Sequence, residues 1–293
     1  MSAPDATGID RVGVVGCGLM GSGIAEVSAR AGLDTLVYEV SDQALDAGRG
    51  RIQDSLDRAV KRGKIDEAER DAALAALRFT TDLDEFADRD LAIEAAPEDE
   101  ALKVRVFGTL DRVMTSPDAL LTSNTSAIPI AKLGAATTRP AQVMGLHFFN
   151  PVPVLDLVEL VPSLVTSTRA QERVRAFAEG PLARKVIVSQ DRAGFVVNAL
   201  LIPYILAAVR MHESGFAAPE DIDDGMVRGC AHPMGPLALA DHIGLDTTLA
   251  VAESLYAEFK EPLYAPPPLL SRMVQAGLLG RKTGRGFYEH QGR

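Results

Sequence analysis

Short apolar runs alternate with longer stretches in which apolar residues recur at helical spacing over the first two thirds of the chain. The runs have the length of buried strands, and the stretches between them have the period of amphipathic helices. Strands that alternate with helices predict a mostly parallel sheet with helices packed on it. The predicted strands are 11–15, 34–38, 91–94, 119–123, 143–146, 155–161 and 184–188.

Helices are predicted between these strands, and after residue 188 the pattern contains only helix and loop. Residues 42–62 and 66–77 predict two antiparallel helices that project from the sheet as a hairpin. The long apolar pattern over 195–214 contains Pro203, which predicts a kinked helix that is buried in its own domain or against a partner subunit. The other predicted helices are 20–31, 98–114, 220–228, 247–259 and 269–276.

A glycine turn joins the first predicted strand to the helix that follows it. In a strand-turn-helix unit, Gly16 allows the tight turn, Gly18 lets the backbone approach a pyrophosphate, and Gly21 lets the helix pack closely on the strand. The amides at the helix start, at Leu19 and Met20, then face an anion. A purely structural turn is the alternative, and the residues that follow favour dinucleotide binding over it.

Glu39 ends the second predicted strand, close to where the ribose-binding acid of a dinucleotide site is expected. A carboxylate there accepts hydrogen bonds from a free ribose hydroxyl and repels a 2′-phosphate. The next residue is Val40 and not an arginine, which favours NAD over NADP. The sequence therefore predicts a Rossmann-type α/β domain with a helical-hairpin insertion over residues 1–190, followed by an all-α domain over 191–293.

Composition narrows the class of protein and of partner. The 293 residues are 47% hydrophobic and 24% charged, which is ordinary for a globular protein, and the net charge of −10 disfavours nucleic-acid binding. Because there is no apolar span of about 18 residues and no signal-peptide pattern over 1–10, we expect a cytoplasmic protein without a membrane partner. Cys17 and Cys230 leave no disulfide framework and no zinc spacing, so no metal is expected.

A dehydrogenase that acts on an alcohol needs a base that titrates near neutral pH, because a hydroxyl proton leaves as hydride is transferred. Among the five histidines, His147 follows a predicted strand of the nucleotide-binding sheet, where the reactive ring of the cofactor is expected. Glu159 lies on the next strand-like run, and the proline corner between them allows the two side chains to meet. Such a carboxylate orients an imidazole and stabilises the imidazolium. Ser126 follows another predicted strand and is therefore also expected near the cofactor. For His147, a purely structural role is the alternative.

Basic residues cluster at the end of the first hairpin helix, at Arg58, Lys61, Arg62 and Lys64. Such a cluster is either a solvated helix face or a clamp for substrate phosphates. The pattern alone leaves both interpretations open.

Five short motifs stand in the order in which they occur in a known family. They are Ser-Asn-Thr-Ser at 123–126, His-Phe-Phe-Asn-Pro at 147–151, Gly-Phe-Val-Val-Asn at 194–198, Pro-Met-Gly-Pro at 233–236 and Gly-Arg-Lys-Thr-Gly-Arg-Gly-Phe-Tyr at 280–288. On these motifs, the chain resembles the L-3-hydroxyacyl-CoA dehydrogenase family over nearly its whole length. It looks most like the short, single-function bacterial 3-hydroxybutyryl-CoA dehydrogenases.

The resemblance implies a reversible oxidation of (S)-3-hydroxyacyl-CoA to 3-oxoacyl-CoA, with NAD taking the hydride. It implies that His147 is the general base and that Glu159 is its partner. Ser126 and Asn198 are implied as polar contacts to the substrate near the reacting carbon, and Asn150 as a support of the site.

The resemblance also implies ligand-binding residues outside this group. Glu98 and Lys103 match family positions along the edge of the cofactor. Ser55 and Arg62 fall where the helical hairpin contacts coenzyme A, which gives the basic cluster, Lys64 included, a role in substrate binding. The helical domain is expected to complete the substrate cleft and to form a homodimer.

Two other functions are compatible with parts of the pattern. Some relatives of the family oxidise free sugar acids such as L-gulonate at the 3-hydroxyl, and in that case Ser55, Arg62 and Lys64 would be dispensable. The second is a non-catalytic dinucleotide-binding protein, which the complete set of polar residues at 126, 147, 159 and 198 argues against.

Overall fold

The structure, a computed structural model, describes residues 7–290 of the 293-residue chain. Most of residues 1–10, over which no signal-peptide pattern is expected, lies outside the described residues. The chain divides into two compact units between Arg192 and Ala193. The first unit holds the sheet. Its strands are β1 (Arg11–Val15), β2 (Asp34–Tyr38), β3 (Leu77–Thr80), β4 (Leu91–Glu94), β5 (Leu120–Ser123), β6 (Val143–Phe148), β7 (Leu157–Pro162) and β8 (Lys185–Val188).

The strands lie in the order β3-β2-β1-β4-β5-β6-β7-β8, and neighbouring strands are parallel except for the antiparallel pair β6 and β7. Crossover helices join the parallel strands, which is the arrangement that parallel pairing requires. The carboxyl ends of β1, β2, β4 and β5 therefore meet at one edge of the sheet, where ligands bind in folds of this type. The predicted Rossmann-type fold is confirmed.

Helices cover the sheet and make up most of the second unit. In the first unit they are α1 (Leu19–Arg30), α2 (Asp42–Lys61), α3 (Glu67–Ala75), α4 (Glu100–Val113), α5 (Ile130–Ala135) and α6 (Thr168–Glu179). In the second unit they are α7 (Val197–Glu213), α8 (Pro219–Cys230), α9 (Pro236–Ile243), α10 (Leu245–Phe259) and α11 (Pro268–Gln275). Between residues 7 and 290, no helix combines the length and the apolar character that a membrane crossing needs.

The predicted hairpin is formed by α2 and α3. Ser41 accepts a hydrogen bond from the amide of Ala44 and so caps α2, and Asp66 and Glu69 form a reciprocal capping box at the start of α3. Both helices pack against α1, and apolar residues of α2 such as Ile52 and Leu56 belong to the core of the first unit. The hairpin is therefore fixed to the nucleotide-binding domain by its own apolar face.

Several predicted boundaries were wrong. The helix predicted over 66–77 ends at Ala75, and Leu77 begins β3, because residues 77–80 pair in parallel with residues 35–38 of β2. Helices α5, α6 and α9 were not predicted. The helix predicted from residue 195 begins at Val197, since the positive φ of Phe195, 48°, is outside the helical region.

In the second unit, α7 carries Pro203 among buried residues, and its apolar side packs with α9 and α10. Asp241, buried on α9, accepts hydrogen bonds from the amides of Phe287 and Tyr288 and from the ring of His290. The motif over residues 280–288 is thus held against α9 by Asp241, which gives it a structural role.

Candidate active site

The glycine turn has the geometry that each of its glycines was predicted to provide. Gly16 has a φ of +94°, which favours glycine, and a Cβ on Gly21 would lie 1.9 Å from the carbonyl oxygen of Gly16. A Cβ on Gly18 would meet nothing within 4 Å, so this position faces open space that a ligand can enter. Gly18 caps α1 without a side-chain hydrogen bond, and Leu19 is 65% exposed. The first amides of α1 are thus arranged for an anion.

Glu39 closes the other side of this turn. Its Oε1 accepts a hydrogen bond from the amide of Cys17 at 2.6 Å, and its Oε2 accepts one from the amide of Val40 at 3.2 Å. The carboxylate lies on the wall of a cavity of about 730 Å³ that is also lined by the glycine turn, residues 95–97 and α4. Burial raises the pKa of the Cys17 thiol to about 11, so this side chain is a neutral part of the turn. The cavity can accommodate the adenosine half of a dinucleotide.

His147 and Glu159 face each other across the antiparallel pair β6 and β7. Their Cα atoms are register partners, and Nδ1 of His147 lies 2.8 Å from Oε2 of Glu159. Both side chains are buried. A carboxylate can only accept, so Nδ1 donates to it and the lone pair of the neutral ring is on Nε2. Nε2 in turn lies 3.1 Å from Oγ of Ser126, so the three predicted residues form one hydrogen-bonded chain.

The loop that carries Ser126 is held by Glu98. The amide of Ser126 donates to Oε1 of Glu98 at 3.1 Å, and the hydroxyl of Thr125 donates to the same oxygen. These bonds fix the loop after β5 beside the end of β4. Glu98 therefore acts on the position of Ser126, in addition to the cofactor contact that the resemblance implies.

Lys103 is 1% exposed and pairs with Glu94, which was missed in the sequence. The ammonium nitrogen of Lys103 lies 2.6 Å from Oε1 of Glu94, 3.1 Å from the carbonyl oxygen of Ala96 and 3.3 Å from Oε2 of Glu98. The other oxygen of Glu94 accepts from the hydroxyl of Ser123 at 2.6 Å. The predicted contact of Lys103 with the cofactor stays a prediction, because in this structure its donors are directed to oxygens of the protein.

Glu94 and Asn124 are the residues of the site that the sequence analysis overlooked. Glu94 is the last residue of β4 and Glu39 directly follows β2, so its place at the carboxyl end of a strand was the available signal. The side-chain oxygen of Asn124 accepts a hydrogen bond from the amide of Phe148 at 2.8 Å. This bond ties the loop after β5 to the strand that carries His147.

The predicted substrate-binding residues fall into two groups. Ser55 and Asn150 line a cavity of about 180 Å³ between α1, α2 and the loop at 150–153. Arg62 and Lys64 are exposed at the end of α2 and do not line it. Asn198 belongs to the second unit, where it is a half-buried residue in the first turn of α7.

Comparisons with known proteins agree with this geometry. Residues 11–192 match the family model of the 3-hydroxyacyl-CoA dehydrogenase NAD binding domain, and residues 194–290 match that of the C-terminal domain. A protein of Mycobacterium tuberculosis named 3-hydroxybutyryl-CoA dehydrogenase is 60% identical over 282 residues, which are 96% of this chain and 99% of that protein. The mitochondrial hydroxyacyl-coenzyme A dehydrogenase of Mus musculus is 37% identical, over 97% of this chain and 92% of its own.

A solved structure of a relative has a closely similar fold. The crystal structure of (S)-3-hydroxybutyryl-CoA dehydrogenase from Ralstonia eutropha has a TM-score of 0.91 and 46% identity, and the match covers 97% of this chain and 99% of that one. Both family models, taken together, span nearly all described residues. The chain therefore belongs to the 3-hydroxyacyl-CoA dehydrogenase family of NAD-dependent oxidoreductases.

Proposed function

We propose that this chain catalyses the reversible oxidation of (S)-3-hydroxyacyl-CoA to 3-oxoacyl-CoA, and that its substrate is the short-chain 3-hydroxybutyryl-CoA. The hydrogen-bonded chain from Ser126 through His147 to Glu159 is the observation that carries the proposal. The names of relatives that are 60% and 46% identical, both 3-hydroxybutyryl-CoA dehydrogenases, support the four-carbon substrate.

His147 acts as the general base in the oxidative direction. Its Nε2 takes the proton of the 3-hydroxyl group, and Glu159 stabilises the resulting imidazolium through the bond to Nδ1. Ser126 holds the substrate oxygen beside Nε2 as the alcohol becomes a carbonyl. NAD held at the glycine turn would supply the acceptor for the hydride that leaves C3. In reduction, the imidazolium returns its proton to the same oxygen.

The cofactor is held by the glycine turn and Glu39. The open face of Gly18 and the amides of Leu19 and Met20 receive the pyrophosphate, and Glu39 accepts hydrogen bonds from the adenosine ribose. The carboxylate of Glu39 repels a 2′-phosphate, which favours NAD over NADP.

The remaining roles concern the acyl-CoA. Ser55, Arg62 and Lys64 bind the coenzyme A part, Asn150 supports the site, and Asn198 contacts the substrate near C3. The cavity that Ser55 and Asn150 share supports a path for the substrate along α2. If Arg62 and Lys64 bind its phosphates, their joint replacement by alanine raises KM for the acyl-CoA and leaves the NADH affinity unchanged.

The second unit, residues 193–293, serves as the domain that completes the substrate cleft and forms a homodimer. Leu200 on α7 is 73% exposed and Phe216 beyond its end is 79% exposed, so these apolar side chains of the second unit are available for contact with a partner. Light scattering on the native protein is expected to give twice the 31.2 kDa mass of one chain, and a monomer would contradict this part of the proposal. The cytoplasmic location stays a prediction.

A spectrophotometric assay tests the activity. We expect oxidation of NADH by acetoacetyl-CoA, a much lower rate with NADPH, and a kcat/KM that decreases from C4 to C8 and C16 3-oxoacyl-CoA. Oxidation of L-gulonate without any reaction of acetoacetyl-CoA, or NADH binding without turnover of either substrate, would contradict the proposal.

A further inference from the structure

Helix α2 packs directly against the glycine turn. A Cβ on Gly48 would lie 2.3 Å from Sγ of Cys17, so only glycine allows the helix to pass this close. Three residues later, on the same side of the helix, Arg51 reaches the turn, and its Nη2 donates a hydrogen bond to the carbonyl oxygen of Cys17 at 2.6 Å. The side chain of Arg51 is thus anchored at the residue between the first two glycines of the turn.

Arg51 has donors to spare at this position. A guanidinium has five N–H donors. Within residues 7–290, Arg51 makes one hydrogen bond, to Cys17, and no ion pair. The residue is exposed. The acids on the wall of the same small cavity are Glu26 and Asp54, and neither forms an ion pair with Arg51. The guanidinium is therefore charged, anchored at one point and open to a ligand.

Two cavities of the first unit share a wall at this point. Leu19, the first residue of α1, lines both the 730 Å³ nucleotide cavity and the 180 Å³ cavity to which Arg51 contributes. The first turn of α1 contains no basic side chain, so its amides and the helix dipole are the only positive groups that α1 itself offers a pyrophosphate. On the other side of the turn, the carboxylate of Glu39 accepts a hydrogen bond from the amide of Cys17, and its charge repels the two negative charges of a pyrophosphate.

We propose that Arg51 binds the pyrophosphate of NAD at the glycine turn. One N–H holds the carbonyl oxygen of Cys17, and the other donors of the planar group contact phosphate oxygens. The inference rests on the proposed binding of NAD at this turn and adds a side-chain cation to it. Coenzyme A also contains a pyrophosphate, but the bond of Arg51 to the glycine turn itself favours the cofactor.

Two variants on one helix separate this role from general effects of charge. Arg51→Met removes the guanidinium and keeps the length of the side chain. The matched control is Arg49→Met, since Arg49 is also on α2 but stacks over the ring of Phe79 at 4.7 Å. Dissociation constants for NADH, ADP-ribose and adenosine are measured with both proteins and the wild type. Adenosine has no phosphate, so it reports on the adenosine part of the site alone.

We expect Arg51→Met to weaken NADH and ADP-ribose binding about 10-fold, as for the loss of a charged hydrogen bond. Its adenosine affinity should stay within about 2-fold of the wild type, as should all three affinities of Arg49→Met. Arg51→Lys keeps the charge without the planar fork, so we expect an intermediate loss for NADH. An equal loss of adenosine and ADP-ribose affinity would show disruption of the turn, and it would overturn the proposal.

Coenzyme A as the source of the pyrophosphate is tested with acetoacetyl-CoA and acetoacetyl-pantetheine at saturating NADH. If Arg51→Met raises KM for the CoA thioester alone and leaves the NADH affinity unchanged, the residue serves the substrate and the proposal is wrong. A wild-type protein that binds NADH and does not reduce acetoacetyl-CoA would contradict the proposed function and leave the assignment of Arg51 standing.

Discussion

Two buried acid–base pairs in the first unit have similar geometry. They differ in whether the nitrogen-bearing side chain keeps a second polar atom for a further contact. In each, a carboxylate that is 0% exposed meets a nitrogen, Glu94 with Lys103 at 2.6 Å and Glu159 with His147 at 2.8 Å. The ammonium of Lys103 is surrounded by oxygens of its own protein. Only the histidine directs a second nitrogen, Nε2, to the hydroxyl of Ser126. Burial of a charged pair is thus insufficient to indicate chemistry, because an atom must also remain directed at the substrate.

The pairs meet at the loop after β5. Glu98 forms an ion pair with Lys103 and accepts a hydrogen bond from the amide of Ser126. The Lys103–Glu94 pair is therefore connected to the loop through Glu98. The histidine pair contacts the same loop through Oγ of Ser126. The Lys103–Glu94 pair stabilises the loop, and the His147–Glu159 pair forms a hydrogen bond with its side chain at Ser126.

Replacement of His147 by glutamine should have the largest effect. Because glutamine cannot take the hydroxyl proton, we expect kcat to fall by a factor of about 10² to 10⁴. The NADH dissociation constant should not change, since the glycine turn and Glu39 are untouched. Steady-state kinetics and NADH fluorescence titration measure the two quantities, and a turnover near that of the wild type would remove His147 from the mechanism.

Replacement of Lys103 by methionine breaks the supporting pair. It leaves the carboxylate of Glu94 buried without its cation, and we expect the free energy of unfolding to fall by about 3–5 kcal/mol. Lys132→Met is the control, because Lys132 pairs with Glu100 at 2.7 Å on the surface, where the loss should not exceed about 1 kcal/mol. Urea denaturation measures both. Equal losses in the two variants would mean that burial does not distinguish these pairs.

Ser126→Ala tests the point at which the two pairs meet. The variant keeps the amide bond to Glu98 and removes only the hydroxyl that lies beside Nε2 of His147. We expect kcat/KM for acetoacetyl-CoA to fall about 10-fold, as for one hydrogen bond to a reacting group. The free energy of unfolding should stay within about 0.5 kcal/mol of the wild type. A large loss of stability with unchanged kinetics would assign the hydroxyl to the fold.

Glu26 is a third buried acid of the first unit, and its ion pair with Arg30 is longer than the contacts of Glu94 and Glu159. It is 1% exposed, its Oε1 accepts no hydrogen bond within the described chain, and Arg30 is 3.7 Å from that oxygen. Burial raises the pKa of Glu26, so the folded state binds the proton more tightly than the unfolded state does. This contribution to stability is present at low pH and is lost as pH rises above the ordinary glutamate pKa.

Glu26→Gln should therefore stabilise the protein at pH 7 by about 1 kcal/mol, the cost of one unsatisfied buried polar group. The difference from the wild type should disappear below about pH 4, where Glu26 is protonated in both states. Thermal denaturation across this pH range measures it. A variant that is less stable than the wild type at pH 7 would mean that the carboxylate has a favourable partner in solution.

The features that the sequence predicted correctly depend on neighbours along the chain. The limits of β1 and β2 follow from apolar runs that end in a glycine turn and in Glu39. Pairing of His147 with Glu159 was accessible because both lie on consecutive strands joined by a short corner. The five motifs also led to the family that the comparisons confirm.

The features that were missed depend on neighbours across the fold. Strand β3 follows α3 with hardly a break, and only its pairing with β2 makes residues 77–80 a strand. Helix α9 begins with Pro236, which suits a first helical position but marks a loop when it is considered alone. The place of Glu94 at the end of a strand was visible in the sequence, but its pairing was not, because its partners Lys103 and Ser123 come from elements that follow in the chain.

The central claim is that His147 and Glu159 act as one unit. A double-mutant cycle on kcat with His147→Gln, Glu159→Gln and the double variant tests it most directly. We expect Glu159→Gln to lower kcat by about 10², and the double variant to stay within about 3-fold of His147→Gln, because Glu159 acts only through the ring. Losses that multiply in the double variant, or a Glu159→Gln enzyme as fast as the wild type, would contradict the account.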